Sequence, residues 1–158
     1  MAHTIFRSDK MFGTYNPAGL VNVKISANLD NGSVVKVGDL ATGEREAYVA
    51  GTPAANDSLD ALCIVVGPEL MYDERKKNLN EYFNDATLNK GIYRGYRFHK
   101  GDEFSMTADG FDGTPAVGSI VEVMAGNKMK VVAEATSGST AIGTIVAKEG
   151  DLYVVREQ

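Results

Sequence analysis

Gly32-Ser33-Val34-Val35-Lys36-Val37 recurs 86 residues later, from position 32 to position 118, as Gly118-Ser119-Ile120-Val121-Glu122-Val123. Both strings enter a β-branched run from a glycine, as a strand does when it leaves a turn. The same elements follow each copy in the same order. Ala41-Thr42 and Ala50-Gly51-Thr52-Pro53 come after the first, Ala135-Thr136 and Gly138-Ser139-Thr140-Ala141 after the second. The first unit closes with Leu62-Cys63-Ile64-Val65-Val66-Gly67 and the second with Ile142-Gly143-Thr144-Ile145-Val146-Ala147. Each therefore reads strand, tight turn, strand, small-residue loop, strand. Another alternating strand precedes each unit, Val21–Ser26 in one case and Glu103–Thr107 in the other. Two copies are too few for a solenoid, which needs at least three. They predict two related small β modules, and modules of about 60 residues are marginal alone, so the two are expected to pack together.

Outside these units the apolar residues also follow period two more than period 3.6. Val21, Val23 and Ile25 alternate with polar partners, and Asp30-Asn31-Gly32 supplies an Asn-Gly hairpin signal leading into Val34–Val37. Further strands are expected at Glu46–Val49, Leu62–Val66, Tyr93–Phe98, Ser119–Met124, Met129–Ala133, Ile142–Ala147 and Leu152–Arg156. Gly, Asn and Asp separate most of them, the pattern of a barrel or sandwich. One stretch differs. Asp73–Phe83 carries acids at its front and Leu79, Tyr82 and Phe83 at helical spacing, which predicts a short helix capped by Asp73. Its basic triplet Arg75-Lys76-Lys77 reads as a solvated face. The expected fold is mainly β: two small related β-barrel or β-tulip-like modules packed together, with one short helix in the insertion between them. The divisions are an N-terminal arm over 1–19, a first module over 20–67, the insertion over 68–100 and a second module over 101–158.

Composition narrows the function. Sixteen Lys and Arg against 21 Asp and Glu leave a net charge of −5, which argues against neutralising a phosphate backbone. No apolar run approaches the roughly 20 residues of a membrane-spanning helix. The start, Met-Ala-His-Thr-Ile-Phe-Arg, lacks the apolar core of a signal peptide, so synthesis in the cytoplasm is expected. The one cysteine, Cys63, lies in an apolar run and reads as a core residue rather than a nucleophile.

Recognisable catalytic sets are few. The two histidines are His3, near the terminus, and His99, which follows Tyr93-Arg94-Gly95-Tyr96-Arg97-Phe98. No Cys or His spacing resembles a zinc site, and no phosphate-binding glycine loop occurs. The acids of Asp109-Gly110-Phe111-Asp112 and Asn56-Asp57-Ser58-Leu59-Asp60 read as turn formers rather than calcium ligands. Alternation splits the aromatics of Tyr93–Phe98 between two faces, which is poor for stacking RNA bases. No enzyme activity, cofactor, metal or nucleic acid is therefore expected. A pocket holding His99 with Asp102 or Glu103 is the feature that would favour a small ligand-binding or enzymatic barrel.

Gly118 to Ala133, followed by Gly138 to Ala147, resembles capsid decoration (cement) proteins of tailed bacteriophages. The similarity lies in a strand, a turn with Gly126 and Lys128, a Val- and Ala-rich strand, a small-residue loop and an Ala141-Ile142-Gly143 strand, and it spans roughly Gly113 to Val155. The opening Phe6–Gly19 is similar to head-accessory proteins, some of them called head fibre proteins. The resemblance implies a structural virion protein on the capsid exterior that stabilises the head shell. Its implied partners are the major capsid protein and sister subunits, as a trimer. A head fibre or adhesion module that binds host surface glycans is the alternative, and a small cytosolic β-barrel ligand-binding protein a further one. Ile5, Phe6, Met11, Phe12 and Tyr15 of the arm are the expected capsid or subunit contacts.

Overall fold

Alternation along Val34-Val35 and along Leu62–Val65 decides how the chain folds, because both faces of these strands are buried. The computed structural model describes residues 4–67, 84–87 and 89–157. The expected helix at Asp73–Phe83 and its basic triplet lie outside these residues. In chain order the strands are β1 (Phe6–Arg7), β2 (Leu20–Lys24), β3 (Ser33–Leu40), β4 (Ala47–Gly51), β5 (Leu62–Val65) and β6 (Ile92–Arg97). They continue as β7 (Glu103–Thr107), β8 (Phe111–Asp112), β9 (Ile120–Val123), β10 (Met129–Val132), β11 (Ala141–Glu149) and β12 (Leu152–Glu157). One helical turn, α1 (Phe12–Tyr15), lies in the arm. Among the described residues no helix is long and apolar enough to cross a membrane.

Five strands close a barrel in the order β2-β4-β3-β5-β6, and seven form a curled half-barrel in the order β1-β7-β12-β11-β9-β10-β8. The two share one pairing plan. β3 pairs antiparallel with β4 and β5, as β9 does with β10 and β11. β5 then pairs with β6 and β6 with β2, as β11 pairs with β12 and β12 with β7. A parallel β2–β4 ladder closes the first module, and its counterpart is the parallel β8–β10 pair. Here the modules part. Where the barrel has the single strand β2, the half-barrel has β7 and β8, separated by the 3-10 turn Ala108–Gly110. The break moves β8 out of line and leaves one side of β7 open, and β1 of the arm occupies that side.

Period-two alternation then sorts the side chains into two cores. Val21, Val23, Val35, Cys63, Val65 and Tyr93 fill the barrel. Val34, Leu62 and Ile64 point out of the same strands and pack with Phe104, Met106, Val121, Ile142, Ile145 and Val155 of the half-barrel. β5 is thus apolar on both faces because it lies between two cores, which accounts for the unbroken run at Leu62–Val66. Backbone bonds reinforce the joint. Val34 N–H donates to Asn127 O at 2.8 Å, Asn127 Nδ2 donates back to Val34 O at 2.9 Å, and Thr140 N–H donates to Ala55 O at 2.8 Å.

Equivalent positions do equivalent work with different chemistry. Lys36, exposed on β3, pairs with Asp57 at 2.9 Å, and Asp57 accepts Ala54 N–H at 2.7 Å. Its counterpart Glu122, fully buried on β9, accepts Thr136 N–H at 2.6 Å. Each side chain ties down the small-residue loop that follows its hairpin.

Two sequence expectations differ from the structure. Gly32 does sit at a turn, with φ +83°, yet β2 and β3 do not form a hairpin, because β4 lies between them. Asn31 is instead a buried junction. Its Oδ1 accepts Gly67 N–H at 2.8 Å and Asn84 Nδ2 at 2.9 Å, and its Nδ2 donates to Gly67 O at 3.1 Å. Side-chain bonding to distant backbone has displaced the local turn role. The stretch 68–100, read as an insertion, also contributes β6, whose pairing with β2 and β5 closes the barrel.

Candidate functional site

The arm and the pocket beneath it form one unit, built outward from β7. Ile5 and Thr107 exchange bonds, Ile5 N–H to Thr107 Oγ1 and Thr107 N–H to Ile5 O, both at 3.1 Å. In the next register position Phe6 lies opposite Met106, and its ring stacks on Phe104 with centroids 5.6 Å apart. Arg7 reaches Asp9 at 2.6 Å and Glu149 at 2.9 Å, and Asp9 accepts the Ser105 hydroxyl. Asp9 takes φ +25°, which turns the chain so that Lys10 N–H donates to Glu103 O at 3.0 Å and Met11 enters the core. Gly13 allows α1 to lie against the barrel, since a Cβ there would come within 2.8 Å of the Tyr96 ring.

The five expected contact residues differ in exposure within this chain. Phe6 and Met11 are buried in the chain's own core, because the open side of β7 takes an edge strand and the space beneath it takes their side chains. Phe12 is half-buried, with its ring 4.1 Å from that of His99. Of the five, Ile5, 39% exposed, and Tyr15, 72% exposed, face outward.

Under Phe12 lies a turn of ionisable groups. Asp102, buried, accepts Phe12 N–H at 3.1 Å with one carboxylate oxygen and His99 N–H at 2.9 Å with the other. Burial raises its pKa despite these bonds. Glu157, the last residue of β12, donates its N–H to Asp102 O at 2.8 Å. The residue is 6% exposed, and its Oε2 meets no hydrogen-bond partner among the described residues. Burial pushes the Glu157 carboxyl up to about 8, and repulsion from Asp102 adds to the shift. At neutral pH it therefore keeps its proton. His99, Lys100, Asp60 and Glu157 line an open pocket of about 400 Å³.

The pocket holds His99 but neither Asp102 nor Glu103, the partners a ligand-binding barrel was expected to place there. Asp102 bonds to backbone N–H groups, and Glu103 is paired with Arg156 at 2.7 Å. Cys63 lies inside the barrel, where burial pushes its thiol up to about 12, so it is not a nucleophile at neutral pH. Among the described residues no three His, Cys, Asp or Glu side chains gather as metal ligands. Sequence reasoning missed Glu157. Its polar signal at the end of an alternating strand is ordinary, and its neighbours come from a turn 58 positions earlier, at His99, and from Asp60 and Asp102. No family model matches the chain, and no match is found among curated proteins or solved structures.

Proposed function

We propose that this chain is a structural virion protein that binds the outer surface of a phage capsid and stabilises the head shell, with the major capsid protein and sister subunits as its partners. The reading rests on the resemblance of the segment from Gly113 to Val155 to decoration proteins. The observation that carries it is the ordered arm. Phe6 and Met11 anchor a backbone that presents Ile5 and Tyr15 to solvent, so docking orders little further chain and loses little entropy. Val117 and Val146 add an apolar patch on the second module, where Gly118 N–H donates to Ile145 O at 2.8 Å and holds the two segments together. Modest contacts of this kind suffice when many copies bind one lattice.

Co-sedimentation with undecorated phage heads tests the proposal, with the mass in solution measured by light scattering. Saturable binding at the stoichiometry of lattice sites is expected. A Tyr15→Ala, Ile5→Ser double variant is expected to bind at least about tenfold more weakly, as the loss of two partly buried apolar contacts implies. No sedimentation with heads, or equal binding by the double variant, overturns the reading.

A further inference from the structure

Five arginines lie among the described residues, and they divide sharply. Arg7 and Arg156 are each held by carboxylates within 3 Å, at 2.6 and 2.9 Å for Arg7 and 2.7 Å for Arg156. The side chains of Arg45, Arg94 and Arg97 make no hydrogen bond or ion pair among the described residues, and all three line one open groove of about 450 Å³. Strand pairing gathers them. Asn22 on β2 lies opposite Arg94 on antiparallel β6 and beside Ala47 on parallel β4. Because β2 and β4 run the same way, the segment Arg45-Glu46 that leads into β4 arrives beside the start of β2. Arg97, half-buried at the end of β6 and on the opposite face from Arg94, lines this groove and also the pocket that holds His99 and Glu157.

Guanidinium groups stay charged at every ordinary pH, so three of them against the one carboxylate of the lining, Glu46, leave the groove positive and favour an added anion. Their planar forks match the paired oxygens of a phosphate or sulfate. The groove falls in the size range of small-ligand sites, about 300–1,000 Å³. Beside the arginines, Asn22 offers an amide and Tyr48 a phenol that can bond hydroxyl groups. Glu46, in the same groove, can accept hydrogen bonds from hydroxyl groups and opposes a chain of successive phosphates. We propose that this groove binds the tetrahedral oxyanion of a monosaccharide-sized phosphate or sulfate ester, with Arg45, Arg94 and Arg97 holding the oxyanion and Asn22 and Glu46 bonding the hydroxyls.

Isothermal titration of the full chain with glucose 6-phosphate, glucose 6-sulfate, glucose and inorganic phosphate tests this. At least one of the two esters is expected to bind saturably and more tightly than inorganic phosphate, while glucose alone gives no signal. Its affinity is expected to fall about tenfold or more in Arg94→Gln and in Arg45→Gln. Both side chains are exposed, so thermal melting of these variants should match the parent. Raising salt from about 50 to about 300 mM should weaken binding, as screening requires. No saturable binding of either ester at about 10 mM overturns the proposal, as does equal affinity in the two variants. Inorganic phosphate binding as tightly as the esters overturns the ester part of it.

Discussion

Replacing Glu157 by glutamine keeps the shape of the side chain and removes its ability to ionise. In the folded chain Glu157 releases its proton at about 8, against an ordinary value of 4.5. Between these values the folded state holds a proton that the unfolded chain gives up. Stability therefore falls as pH rises from about 4.5 to about 8 and then levels off. Each pH unit in that window is worth about 1.4 kcal/mol, so at pH 7 the full effect is about 3 kcal/mol. Water in the adjoining pocket solvates part of the carboxyl, which brings the expected effect to about 1–3 kcal/mol. The Glu157→Gln variant should thus exceed the parent by that amount at pH 7 and more at pH 8.5, with the difference vanishing near pH 4.5. Asp102, also raised by burial, leaves a smaller dependence of the same sign in the variant. Urea denaturation at these pH values measures the difference. A gain that is constant across pH, or a loss at pH 8.5, would refute the argument that an ionising carboxyl at this position opposes folding.

The arm is expected to be part of the folded body. Phe6→Ala should cost about 3–5 kcal/mol in denaturant titrations, since it empties a core position between Phe104 and Met106; a cost below about 1 kcal/mol would show that the arm is dispensable. Asn31→Ala should cost about 2–4 kcal/mol, because it strips partners from Gly67 and Asn84 in a buried setting. Lys36→Met breaks only a partly exposed ion pair to Asp57 and should change stability by at most about 1 kcal/mol. Cys63 should resist thiol reagents in the native protein and react at full rate in denaturant; rapid native labelling would contradict its burial in the barrel.

Much of the architecture was legible in the chain itself. The recurrence of Gly32–Val37 at Gly118–Val123 reflects a shared pairing plan, and alternation placed ten of the twelve described strands with ends within three residues, missing the short β1 and β8, because burying one face of a strand imposes period two wherever it occurs. The unbroken run Leu62–Val66 was legible as a strand, and the structure shows both of its faces buried. What needed the tertiary structure were the features set by residues far apart. Asn31 carries a turn signal, yet closure of the barrel placed β4 between β2 and β3 and committed its amide to Gly67 and Asn84. Phe6 and Met11 sit in a segment that looks like a free arm, and only the break at Ala108–Gly110 opened the side of β7 that draws them in. The three groove arginines, whose side chains have no partner among the described residues, come from two separate stretches, Arg45 before β4 and Arg94 and Arg97 on β6, and Glu157 is buried beside a turn distant from it in sequence. Local pattern determines which residues must leave water, whereas closure determines which neighbours they meet, and the ionisable sites depend on those neighbours.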